Sequence, residues 1–311
     1  MLKYLIILLD DTSVSYCNYD VTKKERKLIG IDVLKAGILF AMKENLIVQF
    51  VYPCYELPKN YLDLIDSVDH IDIKSITITN DSDVIVLSGW ENRVPQGSIC
   101  ILHTSIKELA CHLEQIKDLL KKVIRLNVVF NDIEAFRDND IDNYKNTLAN
   151  LAEIIVDNYK LGGKAQLNLL TDRMVLNAMN NCNAGVESIT LAANGKFYVC
   201  PAFYYNEENN SIGDPEVGLV LPNSQLLCLE YAPICRNCDA FQCKRCVWLN
   251  NRLTTDLNTP SHQQCVLSHL EKNASREILL KLDKAGISLD NSQPIEYSTE
   301  LDPLNTLNRW K

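Results

Sequence analysis

The chain has 311 residues, 47% of them apolar, enough to bury a sizeable core without disulfides or metals to hold it together. Its 40 acidic and 31 basic side chains leave a net charge of −9, which argues against a nucleic-acid or anionic-membrane surface as the main partner. The acidic residues are spread out, and short clusters such as Asp138-Asn139-Asp140 read as solvated helix starts or loops.

The first element is the apolar run Tyr4–Leu9, closed by Asp10 and Asp11 with no small-residue cleavage site behind it. It is too short for a signal core or a membrane span and fits a buried strand. No other stretch approaches a spanning length, so this reading places the protein in the cytoplasm, with no membrane partner. Further strands are predicted at Ile47–Val51, Val84–Leu87, Ser98–Leu102, Ile124–Phe130 and Gln166–Leu170. They are rich in Val, Ile and Leu without strict alternation, as expected of strands covered on both faces. Between them, apolar residues at helical spacing predict helices over Ile31–Lys43, Ser105–Lys121 and Asp142–Tyr159, the last stopped by Lys160-Leu161-Gly162-Gly163. Repeated strand–helix alternation implies an α/β fold with a mostly parallel sheet. About six strands are too few for a closed eight-stranded barrel, so a partial (β/α) barrel is expected over residues 1–180.

After residue 180 the texture changes. Ser188–Leu191, Ala193-Asn194-Gly195 and Lys196–Cys200 predict a β-hairpin with a type I′ turn. Residues 206–218 read as loop, and Pro260–Lys284 as a C-terminal helix. A small cysteine-rich domain is expected over 181–290, with a tail over 291–311.

The twelve cysteines carry the chemistry. In a reducing compartment clustered thiols mean metal or redox chemistry rather than disulfides. Cys17, Cys54, Cys100 and Cys111 are scattered and read as buried structural thiols, while the other eight lie between 182 and 265. Cys182 is followed after twelve residues by the G-x4-C unit Gly195–Cys200, then by Cys235-x2-Cys238-x4-Cys243-x2-Cys246 and finally Cys265. Two thiolates two residues apart reach one metal centre from a tight turn, and two such pairs signal metal binding. One structural Zn²⁺ held by Cys235, Cys238, Cys243 and Cys246 is one reading. Seven thiols exceed one zinc, and iron–sulfur clusters are the other.

The order of these cysteines resembles the SPASM domain, whose pattern is C-x9–15-G-x4-C, a gap, C-x2-C-x5-C-x3-C, a gap, and C. That domain closes many radical S-adenosylmethionine enzymes that modify peptides. Cys182, Gly195 and Cys200 match at allowed spacing, whereas two gaps in the second half are one residue short. The resemblance implies two auxiliary [4Fe–4S] clusters. Cys182, Cys200 and Cys246 would hold the first, with an open or otherwise filled fourth site. Cys235, Cys238, Cys243 and Cys265 would hold the second. Cys228 is a candidate for the fourth ligand, though its isolation favours an ordinary buried thiol, and His262 is near Cys265 but reads rather as a surface histidine at a helix start.

Radical enzymes of this kind hold the catalytic cluster by C-x3-C-x2-C after the first strand, where this chain has only Cys17. The Gly-Gly-Glu-Pro turn after the second strand is replaced by Tyr52-Pro53-Cys54-Tyr55-Glu56-Leu57-Pro58, with Glu56 as the vestige of its glutamate. The first domain therefore resembles a radical-SAM-like barrel without its own cluster, and S-adenosylmethionine is not expected to bind. The segments Leu9–Cys17 and Gly37–Asn45 make the whole chain similar to the CXXX repeat peptide maturase group. That likeness implies a cysteine-rich precursor peptide as partner, clusters that bind it or pass electrons, and room for a separate catalytic partner protein. A zinc-stabilised peptide-binding scaffold is the alternative. G-x-S-x-G, P-loop, H-E-x-x-H and G-x-G-x-x-G signatures are absent from the sequence. Gly89-Trp90-Glu91-Asn92 reads as an ordinary connection after a strand.

Overall fold

The computed structural model describes residues 2–79, 81–90, 93–206 and 209–296. Two compact units emerge, each discontinuous in sequence: Met1–Ser88 with Cys182–Ala232, and Gly89–Asn181 with Pro233–Lys311. Both draw on residues from either side of position 180. Most of the tail expected over 291–311, and Glu91 and Asn92, lie outside the described residues.

The first unit opens with β1 (Tyr4–Leu8), α1 (Ile31–Lys43), β2 (Ile47–Val51), α2 (Lys59–Ile65), β3 (His70–Ser75) and β4 (Val84–Leu87). The second follows with β5 (Ile99–Thr104), α3 (Ile106–Cys111), α4 (Leu113–Leu120), β6 (Arg125–Phe130), α5 (Ile141–Lys160), β7 (Gln166–Leu167) and α6 (Asp172–Val175). Residues 182–232 then add β8 (Ser188–Leu191), β9 (Phe197–Tyr198), α7 (Pro201–Asn206), β10 (Gly213–Asp214) and β11 (Gly218–Leu219) to the first unit. In the second unit α8 (Val247–Thr254) and α9 (His262–Lys284) complete the described elements.

The expected α/β architecture with mostly parallel strands is present. In the first unit the strand order is β4-β3-β2-β1-β8-β9. Every described neighbour pair is parallel except the β8–β9 hairpin. β1 is paired on both edges, to β2 and to β8, and Leu5, Ile7 and Leu8 are fully buried. In the second unit β7, β6 and β5 lie side by side, all parallel. Such strands read as apolar runs because helices and loops cover both faces. Gly37 lets α1 approach β8: a Cβ there would meet Leu191 Cδ2 at 2.3 Å.

Four local departures have physical causes. The helix expected over 105–121 breaks at His112, whose Nδ1 lies 2.8 Å from the Glu108 carbonyl that would accept the fourth-residue helical bond. The side chain thus competes with the backbone ladder, and Trp90 stacks on its ring at 4.3 Å. β3 was not expected, because Asp72 and Lys74 interrupt its apolar residues. In the fold they pair with each other, and Lys74 sits 4.3 Å over the Tyr52 ring. The hairpin turn is not type I′. Gly195 (φ +82°) takes the left-handed position behind a turn closed by Gly195 N–H to the Ala192 carbonyl at 2.9 Å, the three-residue arrangement with a bulge. The polar stretch 206–218 carries one strand of the short antiparallel ladder β10–β11. The helix stop after α5 holds, with Gly162 and Gly163 N–H on the carbonyls of Tyr159 and Asn158 at 3.0 and 2.9 Å. Among the described residues no helix is long and apolar enough to cross a membrane.

Candidate metal centre

In the first unit the loop after β1 is filled by a polar network. Asp10 and Asp11 are both buried. Tyr55 donates its hydroxyl to Asp10 Oδ2 at 2.7 Å, and Thr12 N–H binds Asp10 Oδ1 at 2.8 Å. Asp11 accepts from the Tyr204 hydroxyl, with Lys23 Nζ 3.7 Å away and 3.8 Å over the Tyr204 ring. Burying two carboxylates is costly unless donors surround them, and here phenols and an ammonium do so. Glu56 is exposed.

Cys17 lies in the same loop and is not isolated in the fold. The loop is fastened to α7, which begins immediately after Cys200. Thr22 Oγ1 donates to the Tyr205 carbonyl at 2.7 Å, and Tyr19 stacks on Tyr205 at 5.5 Å. Tyr16 meets the Tyr19 ring edge-on at 5.8 Å, and its phenol is pushed well above its ordinary range by burial and then by the Cys17, Cys200 and Cys182 thiols. The loop thiol therefore shares its surroundings with two of the sequence-predicted ligands. The reading of all four scattered cysteines as buried is corrected. Cys100 is buried on β5, Cys17 is half-buried, and Cys54 and Cys111 are exposed where a bend and a helix end leave them in solvent.

The second unit assembles the other thiols. Cys235 opens a tight turn in which Cys238 N–H reaches the Cys235 carbonyl at 3.1 Å, and Cys243 N–H closes on the Ala240 carbonyl at 2.9 Å. α9, capped by Ser261 and Gln264, brings in Cys265 from the opposite end of the segment. Burial pushes the Cys243 thiol far up, and the neighbouring Cys238, Cys265 and Cys235 thiols push it further. Cys265 is pushed up to about 12 by burial, then by Cys235 and Cys238. Burial likewise raises Cys235 and Cys238, opposed at Cys235 by Arg245 and at Cys238 by Lys272 and Arg173. Four thiols that feel one another, one buried and three half-buried, with three cations beside them, fit a group that binds them as thiolates. Cys246 opens α8, its sulfur accepting Leu249 N–H at 3.4 Å.

One group of three potential ligand atoms within 4.8 Å of one another occurs among the described residues: Cys238, Asp239 and His269. No three cysteine sulfurs among them are that close. A closed tetrahedral zinc site, with Zn–S near ~2.3 Å, draws its sulfurs closer than that. His269 was missed in the sequence, where His262 drew attention. His262 is exposed at the start of α9, whereas His269 is buried one turn beyond Cys265. The readable signal was the C-x3-H spacing on a predicted helix, which puts both side chains on one face.

The chain matches no family model. No curated protein matches it either. Among solved structures it is similar to Streptococcus suis SuiB bound to precursor peptide SuiA, with 13% identity and a TM-score of 0.40. The match covers 66% of this chain and 61% of that one, less than two thirds of its length. This is a limited likeness of fold and carries no argument about activity.

Around the quartet the second unit is unusually polar inside. Lys272 reaches both Asp239 carboxylate oxygens at 3.0 Å, and Arg173 donates to the Asp239 carbonyl at 2.9 Å while lying over the Phe241 ring. Glu271 is buried against the Tyr144 hydroxyl at 2.8 Å, and burial lifts its carboxyl to about 8. An acid whose folded pKa exceeds its unfolded one binds its proton more tightly when folded. Its stabilising share is whole below the unfolded value and is lost as pH rises from about 4.5 to about 8. Glu271→Gln keeps an acceptor for Tyr144 and removes the ionisation. It is expected to leave the melting temperature at pH 5 nearly unchanged and to raise it at pH 9 by several degrees. Equal shifts at both pH values in thermal denaturation would refute this.

A cleft of about 540 Å³ in the second unit is lined by Arg125, Gln166, Asp172 and the segment 287–290. Asp172 grips the Arg125 guanidinium with both oxygens, at 2.9 and 2.6 Å. That cation is already neutralised, and the cleft contains none of the sequence-predicted ligands.

Proposed function

We propose that this chain is a component of a ribosomal-peptide modification system, a relative of the CXXX repeat peptide maturases. Its thiols would hold auxiliary [4Fe–4S] clusters that bind a cysteine-rich precursor peptide or carry electrons. The observation that supports the reading is that the Cys235, Cys238, Cys243 and Cys265 thiols lie near enough to influence one another, Cys235 buried and the other three half-buried. These four are the ones that the SPASM-like order assigns to a single cluster, and a tight turn and a distant helix carry them.

Within that reading the chain's own residues have distinct tasks. The Cys235–Cys238 turn and α9 fix the direction of the ligand sulfurs. Lys272, Arg173 and Arg245 offset the negative charge that bound thiolates bring. Cys182, Cys200 and Cys246 would hold the other cluster, and the exposure of Cys182 would let a peptide thiol approach it. A bound cluster supplies an electron carrier where all its irons are ligated, and a site for an incoming thiolate where one is not. The loop after β1 offers one thiol and a closed network of carboxylates and phenols. Radical chemistry is therefore assigned to a separate catalytic partner.

The test is an assay of iron and acid-labile sulfide in anaerobically purified protein, with a paramagnetic resonance spectrum after reduction. Iron and sulfide in stoichiometric amounts, with a reduced-cluster signal, are expected. Stoichiometric zinc without sulfide would favour the zinc-stabilised scaffold and overturn the cluster reading.

A further inference from the structure

We propose that His269 is a positioning residue of the quartet, donating its Nε2–H to the Cys238 sulfur and thereby lowering the electron density on that ligand. The inference rests on the reading of the quartet as a cluster site. Nε2 of His269 lies 3.5 Å from Cys238 Sγ, within hydrogen-bonding reach for sulfur. The ring is 3% exposed, so it has been taken out of water and set against a sulfur. Burying an imidazole is costly without polar partners, which gives this contact a reason to be retained. A thiolate bound to iron has no proton to give, so in the loaded protein the proton of this contact belongs to Nε2.

The trio Cys238, Asp239 and His269 also admits a second reading, as a separate three-ligand metal site. The position of Asp239 speaks against it. Both carboxylate oxygens are engaged at 3.0 Å by Lys272, whose side chain is 1% exposed, and a metal would have to displace that buried cation. Once Asp239 is committed to Lys272, the imidazole is left facing the sulfur. Ala240 N–H points at the same sulfur from 3.5 Å, so Cys238 is approached by two donors. Cys265, His269 and Lys272 follow one another at i, i+4 and i+7 along α9, so one helix face presents a ligand, a donor and a cation to the turn. Hydrogen bonds to ligand sulfurs raise the reduction potential of a cluster, because they stabilise the more negative, reduced form.

The experiment compares the full chain with His269→Leu and His269→Gln, all purified anaerobically. Iron and sulfide are measured, and the midpoint potential is read by a titration followed by paramagnetic resonance. Both variants are expected to retain wild-type iron and sulfide. His269→Leu is expected to shift the potential to more negative values, and His269→Gln, which keeps an N–H donor, to restore most of the difference. An unchanged potential in His269→Leu with the cluster retained overturns this inference and leaves the proposed function standing. Parallel loss of iron in both variants also overturns it, since that would make His269 a ligand. If the wild-type protein holds zinc and no sulfide, the proposed function fails separately. The hydrogen bond is then read from the sulfur-to-metal charge-transfer band of the cobalt(II)-substituted protein. A displaced band in His269→Leu supports the contact, and an unmoved one refutes it. A wild-type protein that binds no metal overturns both.

Discussion

Cys265→Ala is expected to empty the quartet of its metal, whereas Cys246→Ala is expected to leave that metal in place. The two substitutions separate the readings that spacing alone left open, because a zinc held by Cys235, Cys238, Cys243 and Cys246 would respond in the opposite sense. The burial that pushes the Cys265 thiol up to about 12 makes it a poor thiolate unless a metal compensates. Removing one of four ligands then loses more affinity than the ~10–100-fold that supporting contacts contribute to a metal site. About half of the iron and sulfide should disappear if each unit holds one cluster. The unfolding transition of Cys265→Ala should also become less sensitive to chelator than that of the parent, since binding energy at such a site is folding energy. Cys246→Ala should leave the quartet's metal in place while costing its share as helix cap, about 1 kcal/mol, and any iron it holds with Cys182 and Cys200. The scheme collapses if metal content survives in Cys265→Ala and is lost in Cys246→Ala.

Asp239→Ala is expected to destabilise the protein more than Lys272→Met does, by chemical denaturation with matched denaturant slopes. The asymmetry follows from burial. The Lys272 side chain is 1% exposed and that of Asp239 22%, so water can reach the carboxylate once its partner is gone but cannot reach the ammonium. Stranding a buried charge costs about 3–5 kcal/mol, which corresponds to roughly 10 °C in a chain of this size. The double variant Asp239→Ala with Lys272→Met should recover most of the loss, because no uncompensated charge remains. An Asp239→Ala protein within about 1 kcal/mol of the parent would contradict this.

Much of the fold was legible where apolar residues dominate locally. β1, α1, β2, β4 and α5 fall within a residue of the ranges that periodicity gives. β3 escaped because its own Asp72 and Lys74 break the apolar run, and only the fold shows them paired, with Lys74 over the Tyr52 ring. The break at His112 escaped for a related reason, since helical spacing continues through it and only the ring's hold on the Glu108 carbonyl interrupts the ladder. At the site, spacing identified the thiols but not their company. Cys17 stands next to no other cysteine in sequence, and its association with Cys182 and Cys200 depends on a loop docking onto α7. His269 was signalled by its distance from Cys265, yet only the fold shows that the turn carrying Cys238 faces it.

The pairing of β1 with β8 sets a timetable for the protein's synthesis. β1 leaves the ribosome well before the strand that covers its second edge, which begins at Ser188. At about 5–20 residues per second, that edge stays uncovered for on the order of ten seconds or more. A truncated chain ending near residue 180 would keep it uncovered permanently, with its backbone N–H and C=O groups free to recruit a strand from another molecule. A fragment starting at Cys182 would carry β8 with no β1 to pair it. Co-expressing the two fragments is therefore a more promising way to obtain soluble halves than making either alone.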